Sequence, residues 1–216
     1  MKAVMLLSGG MDSATLLYHL VKRGDDVTAI SINYGQRHNR ELIAARKLTR
    51  LFGIEHKLLD ASFLHDLLPS TLTHEGEVPD GHFSDMSMKQ TIVPNRNMIF
   101  LAMAAGHAYS IYADVLAIGA HAGDHTIYPD CRPPFFDAMQ AALDLGNAWL
   151  RPLRLYAPFL NMSKGEIASE GVSLGVPYSL TWTCYKGGDK PCGTCGSCTE
   201  RAEAFAYAGV PDPLIG

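Results

Sequence analysis

The sequence predicts an α/β protein, an open parallel sheet of five strands flanked by helices, with a small cysteine-rich appendage at its C-terminal end. Three observations lead there. Short apolar runs alternate with helix-period stretches from the first residues onward. The first run ends in a Gly-containing turn that opens a helix, and four of the five cysteines fall within one fifteen-residue stretch. A length of 216 residues suits one full-sized domain plus a small addition. With 47% hydrophobic and 19% charged residues the chain carries a real core, which excludes disorder. Eighteen Lys and Arg against 22 Asp and Glu give −4, so no basic excess calls for nucleic acid or an anionic membrane.

The elements follow in order. Ala3 to Leu7 is an apolar run of strand length, and Ser8-Gly9-Gly10 interrupts it too early for a signal or membrane span, so a soluble cytoplasmic protein is expected. Asp12 to Arg23 is amphipathic at helical spacing, with Gly24 as its stop. Val27 to Ile32 reads as a buried parallel strand, His38 to Phe52 as a second helix ended by Gly53, and Glu55 to Leu59 as a third strand. This βαβαβ start predicts right-handed crossovers. Residues 60 to 93 read as a long acidic loop with one short helix at its start. Asp60, Asp66, Glu75, Glu77, Asp80 and Asp85 there outweigh Lys89, and Pro69, Gly76, Pro79 and Gly81 break any period. Pro94-Asn95 opens an all-round apolar helix to about Ala113. A strand at Val115 to Ile118, a helix over Pro134 to Leu145, a strand near Arg151 to Leu155, a helix started by Ser163 and stopped near Gly175, and a last helix over Thr199 to Tyr207 complete the prediction.

Ser8-Gly9-Gly10-Met11-Asp12-Ser13 sits where a strand ends and a helix begins, the place where open α/β sheets bind ligands. Two glycines let backbone N–H groups converge on an anion, and the positive end of the helix dipole adds to the attraction. Ser8 and Ser13 offer hydroxyls, Asp12 can hold Mg2+, and Ala14 and Thr15 continue the first turns. Cys184, Cys192, Cys195 and Cys198 form C-x7-C-x2-C-x2-C among glycines. Four thiolates at this spacing suit a tetrahedral, closed, structural zinc, with an iron–sulfur cluster as the alternative.

The SGGMDS stretch resembles the pyrophosphatase loop of ATP pyrophosphatases, which implies cleavage of ATP between its α and β phosphates. Further stretches are similar to the 7-cyano-7-deazaguanine synthase family over essentially the whole chain. They are Tyr34-Gly35-Gln36-Arg37-His38, Val93-Pro94-Asn95-Arg96-Asn97, Gly119 to Asp124, Tyr128 to Arg132, Ala157-Pro158-Phe159, Ser163 to Glu166, and Thr181 to Tyr185 running into the cysteines. The resemblance implies an adenine nucleotide alpha hydrolase-like, Rossmann-like fold. It also implies a nucleotide-binding unit over 1–180 and a zinc-binding helical segment over 181–216. The implied reaction uses ATP and free ammonia to turn 7-carboxy-7-deazaguanine into the nitrile through adenylated intermediates, in the route to queuosine. No glutaminase domain is expected, and a homodimer is, with an apolar patch over Phe205 to Leu214 as a contributor.

Roles carried over by the resemblance are these. Residues Ser8 to Thr15 hold ATP, with Asp12, Ser13, Arg96 and Lys164 acting in the chemistry. Tyr34, Gln36, Arg37, His38, Asn95, Asn97, His121, Asp124, Asp130 and Arg132 bind substrate, and Trp182 and Tyr185 are candidates to stack on the flat base. Each of these cations also reads as an ordinary surface charge, and His121 and His125 as plain loop structure. Cys131, outside the cluster, keeps open a tRNA-modifying sulfurtransferase of the same superfamily; another amide-forming synthetase is a further alternative. A zinc-bearing binding module leaves the phosphate loop unexplained.

Overall fold

The computed structural model describes residues 1–74, 78–82 and 86–215. Five strands, β1 (Lys2–Leu6), β2 (Asp26–Asn33), β3 (Glu55–Asp60), β4 (Val115–Ala117) and β5 (Arg154–Tyr156), form one parallel sheet in the order β3-β2-β1-β4-β5. Helices α1 (Met11–Lys22), α2 (Arg40–Phe52), α3 (Leu64–Leu67), α4 (Arg96–Ser110), α5 (Pro133–Gly146), α6 (Lys164–Leu174) and α7 (Gly196–Ala208) complete it.

Strand periodicity explains the layers. Val4 and Leu6, with Ile30, Ile32 and Leu116, face a core built with Leu101, Ala104 and Ala108 of α4 and Phe136, Met139 and Leu143 of α5. Ala3 and Met5, with Ala29, Val115 and Ala117, face the opposite core, made with Leu16, Leu17 and Leu20 of α1, Ala45 and Leu48 of α2, Ile167 of α6 and Phe205 of α7. Both faces are covered, which is why these strands are nearly continuous apolar runs. The chain moves outward through β1, β2 and β3 with α1 and α2 on one face. It then returns past β1 to β4 with α4 on the other face, as a constant crossover hand requires. The strand order reverses between β1 and β4, so the loops after these two strands diverge and leave a crevice.

Four expectations are adjusted. The fifth strand lies at Arg154–Tyr156, because it pairs only with the three residues of β4 and Pro152 has no N–H for a ladder. Arg151 instead forms an ion pair with Asp114. The last helix begins at Gly196, so Cys195 is its N-cap and Cys198 lies in its first turn. The acidic stretch contains α3 and also a 3-10 helix at Met86–Thr91; Glu75, Gly76, Glu77 and Asp85 lie outside the described residues. Ser163 starts α6 as expected, through a capping box with Glu166. Phe205, expected in a surface patch, is buried at 2% exposure and packs edge-on against Tyr178. No helix among the described residues is long and apolar enough to cross a membrane.

Candidate active site

The turn between β1 and α1 is braced from within. Ser13 Oγ accepts from Gly9 N–H at 3.1 Å and donates to the Gly10 carbonyl at 3.1 Å, and Ser8 Oγ lies 3.0 Å from it. Gly9 has φ +96°, and a Cβ there would sit 2.1 Å from the Glu41 carbonyl oxygen and 2.8 Å from Ala45 N. Only glycine lets the first turns of α2 close onto this loop. The first bond of α1 runs from Ala14 N–H to the Gly10 carbonyl, and Gly9 and Gly10 N–H donate to Ser13 and Ser8 Oγ, so the N–H groups of Met11, Asp12 and Ser13 are left for a ligand.

Above the loop is a cavity of about 240 Å³ at the crevice between the β1 and β4 loops. One wall is a charge cluster. Lys164 Nζ, buried in the first turn of α6, lies 2.5 Å from Glu200 Oε2 of α7 and 3.2 Å from Asp12 Oδ2 of α1. Burial pushes the Asp12 carboxyl up, but Lys164 and His121 outweigh it and hold the group below the usual carboxylate range. Burial works against the Lys164 charge too, yet Asp12 and Glu200 keep its ammonium well above the ordinary lysine value. Glu200 is pushed up by burial, with Lys164 and His121 opposing. His121 Nδ1 accepts from Gly123 N–H at 3.1 Å, which leaves the proton on Nε2, 3.5 Å from Asp124 and 3.7 Å from Asp12. Asp12 Oδ1 and His121 Nε2 are buried with no hydrogen-bond partner, so the site has unfilled polar capacity at the foot of the loop.

The other wall is aromatic and cationic. Tyr34, Gln36, Glu41, Arg96, Asn97, Phe100, Tyr128, Trp182 and Tyr185 line it. Arg96 stands 5.9 Å above the Tyr128 ring, and Tyr34 and Phe100 form a ring pair at 5.3 Å. Burial pushes Glu41 up to about 7, although Arg96 and Lys164 favour its anion.

Of the residues singled out in the sequence, Ser8, Gly10, Met11, Asp12, Ser13, Tyr34, Gln36, Arg96, Asn97, His121, Asp124 and Lys164 converge on this cavity. Others do not line it. Ala14 is in the core, and Thr15 Oγ1 bonds the Tyr178 hydroxyl at 2.7 Å. Arg37 is exposed, and His38 packs beneath Gly187 and against Trp182. Asn95 supplies the left-handed N-cap of α4 (φ 56°). Asp130 accepts from Asn97 N–H at 3.1 Å, and Arg132 donates to the His125 carbonyl at 2.7 Å. Cys131 is a cavity residue, but it is 3% exposed, and burial drives its thiol far up. A sulfur carrier needs an accessible thiolate. Glu41 and Glu200 were not legible as site residues. A first-turn Glu in α2 serves the helix dipole in any helix, and Glu200 meets Lys164 only through the packing of α6 on α7.

Cys184, Cys192, Cys195 and Cys198 bring their sulfurs within 4.8 Å of one another, with 3.9 Å between those of Cys192 and Cys198. Tetrahedral ligands at a metal–sulfur distance of ~2.3 Å are ~3.8 Å apart, so the four residues fit a metal ion. The acidic stretch is tied here, because Asp80 accepts from Lys186 Nζ at 2.5 Å and from Thr194 Oγ1 at 2.6 Å.

Comparison with known proteins gives the following. The family model described as "Queuosine biosynthesis protein QueC" matches residues 2–209. A protein of Methanoregula boonei named 7-cyano-7-deazaguanine synthase is 54% identical over 215 residues, covering 99% of this chain and 98% of that one. Among solved structures, NMN synthetase from Francisella tularensis aligns with TM-score 0.53 at 17% identity, over 97% of this chain and 78% of that one. A 4-thiouridine synthetase in complex with RNA and ATP aligns with TM-score 0.50 at 16% identity, over 96% of this chain and 50% of that one. These two likenesses concern the fold.

Proposed function

The chain belongs to the QueC family of queuosine biosynthesis proteins, and from that membership we propose that it is the ATP-dependent ligase that makes 7-cyano-7-deazaguanine from 7-carboxy-7-deazaguanine and ammonia. Queuosine-precursor synthesis is the activity of the family. The observation that carries the finer reading is the glycine-braced loop at the N-terminus of α1, with Asp12 held anionic by Lys164 and its Oδ1 unsatisfied.

A carboxylate is a poor electrophile, so its oxygen first attacks the α-phosphorus of ATP and pyrophosphate leaves. The N–H groups of Met11, Asp12 and Ser13, together with the Ser8 and Ser13 hydroxyls, receive that pyrophosphate, and they are aimed before the charge develops. Ammonia then displaces AMP from the acyl adenylate to give the amide. A second adenylation, on the amide oxygen, permits its loss and leaves the nitrile. Arg96 and Lys164 balance phosphate charge. Trp182 and Tyr185 flank the flat heterocycle, while Tyr34, Gln36, Asn97, His121 and Asp124 recognise its edge. Arg37, His38, Asn95, Asp130 and Arg132 act on this wall at one remove, through the loops they hold.

Mg2+ fits the free Asp12 oxygen, and when bound it neutralises the departing pyrophosphate. Four thiolates with no open position read as a structural zinc. We read the protein further as cytoplasmic and homodimeric, with no nucleic-acid or membrane partner. It comprises a nucleotide-binding unit over 1–180 and a metal-binding segment over 181–216.

The test incubates the protein with ATP, magnesium, ammonium and 7-carboxy-7-deazaguanine and looks for the nitrile and AMP. Release of ADP and orthophosphate would overturn α–β cleavage. Heavy oxygen in the substrate carboxylate is expected to appear in AMP.

A further inference from the structure

The reaction needs ammonia as a free base, whereas at neutral pH nearly all of it is ammonium. A residue that accepts a proton inside the cavity would let the site draw on ammonium itself, and the described residues narrow the choice. Asp12 and Glu200 share Lys164, at 3.2 and 2.5 Å. Asp124 faces the protonated Nε2 of His121 at 3.5 Å, and the other ring nitrogen of His121 already accepts from Gly123 N–H. Cys131 is buried with its thiol driven up, as burial also drives up the phenols of Tyr34 and Tyr185. Lys164 and Arg96 have no lone pair to offer in their charged forms.

Glu41 is different. It lines the cavity, and among the described residues its carboxylate makes neither a hydrogen bond nor an ion pair within 4 Å. Its place is fixed, because its own carbonyl lies where a Cβ on Gly9 would sit, so the first turn of α2 rests on the phosphate loop. The groups that bear on it are Arg96 of α4 and Lys164 of α6, which favour its anion, and Tyr34 at the end of β2. Ser8, Gly9 and Gly10 of the loop bring no titratable side chain. Tyr34 and Phe100, also in the lining, offer ring faces suited to a small cation.

Resting on the reading above, we propose that Glu41 is a catalytic residue, the general base that takes a proton from ammonium beside the acyl adenylate. The nitrogen lone pair so freed forms the C–N bond to the acyl carbon. The bond from that carbon to the phosphate oxygen breaks, AMP leaves with the electron pair, and the adduct nitrogen loses its second surplus proton to solvent. A base that titrates near neutrality is the efficient choice for this transfer, and burial brings Glu41 to about 7.

The test separates two half-reactions in the full-length protein. Carboxylate-dependent exchange of pyrophosphate into ATP reports adenylation without ammonia. Glu41→Gln is expected to retain that exchange while its use of ammonium collapses, and the retained exchange shows an intact fold. Its kcat/KM for ammonium at pH 7 is expected to fall by about 100-fold or more. The loss is expected to shrink as pH rises toward the pKa of free ammonium, and to vanish with hydroxylamine, an amine already neutral at pH 7. Wild-type ammonium use by the variant, loss of its exchange, or failure of hydroxylamine to rescue it would each overturn the assignment. Absence of exchange in the wild-type protein would instead overturn the proposed function itself.

Discussion

The burial of an unpaired carboxylate has a consequence for stability that needs no substrate. Glu41 ordinarily titrates at 4.5, and in the folded chain burial pushes it up to about 7. The folded state therefore holds this proton more tightly than the unfolded state does. The contribution is full below pH 4.5 and is lost as pH rises to about 7. Over that interval, at ~1.4 kcal/mol per pH unit, the loss sums to about 3 kcal/mol. Glu41→Gln has nothing to titrate and keeps its stability across the interval. Melting the ligand-free, metal-loaded wild type and variant side by side from pH 4 to pH 8 isolates the effect, because every other group titrates alike in both and cancels in the difference. For a chain of this size the variant is expected to gain roughly 6–12 °C on the wild type as pH rises. Parallel profiles would refute the reasoning. A gain of opposite sign would mean that Arg96 holds Glu41 as an anion, which removes it as a base near neutrality.

Other outcomes follow from the same geometry. Gly9→Ala places a methyl 2.1 Å from the Glu41 carbonyl oxygen in a left-handed conformation. It is expected to abolish pyrophosphate exchange and lower the melting temperature, and a fully active variant would contradict the loop geometry. Asp12→Asn is expected to stop nitrile formation with the far-UV circular dichroism unchanged; retained turnover would detach Asp12 from the chemistry. Arg201 is 1% exposed and bonds Asp212 at 2.7 and 2.8 Å, Thr181, Thr183 and the Tyr178 carbonyl. Arg201→Met leaves Asp212 without its cation and is expected to cost about 3–5 kcal/mol in chemical denaturation. Removing the metal with a chelator is expected to release four titratable thiols and lower the melting temperature. Elemental analysis finding iron in place of zinc would correct the ion assignment.

The sequence displayed what depends on local pattern. The alternation of Ala3 to Leu7 places residues on two covered faces, the spacing in α1 marks a buried stripe, and Ser163 with Glu166 writes its own cap. It displayed less where neighbours decide. The span of β5 is set by its three-residue partner β4, and α7 starts at Gly196 because Cys195, a poor cap by composition, is held where a cap belongs. The site divides in the same way. Ser8 to Ser13 are contiguous and readable, and so is the spacing of the four cysteines. Glu41 becomes a cavity residue only when α2 closes on Gly9, and Glu200 only when α7 packs on α6, which no periodicity encodes.

That closure also gives the cysteine cluster a reason to sit beside the loop between β1 and α1. Trp182 N–H donates to the Gly9 carbonyl at 3.0 Å, and its indole N–H donates to the Cys184 carbonyl at 3.0 Å. The short segment 181–184 is thus held at one end by Cys184 of the cysteine cluster and at the other by Arg201 on Thr181, and in between it holds Gly9 of the loop. The phosphate loop rests on two supports from outside its own strand and helix. These are the first turn of α2, which carries Glu41, and the strand-like approach to the cysteines, which carries Trp182. Without the metal the second support loses its anchor while the first remains, so adenylation suffers through the loop and not through any vacant catalytic position. A net charge of −4 is no obstacle to such a site. On the proposed function, the positive potential offered to ATP comes from backbone N–H groups and Arg96, and the packing around them, not the composition, aims it.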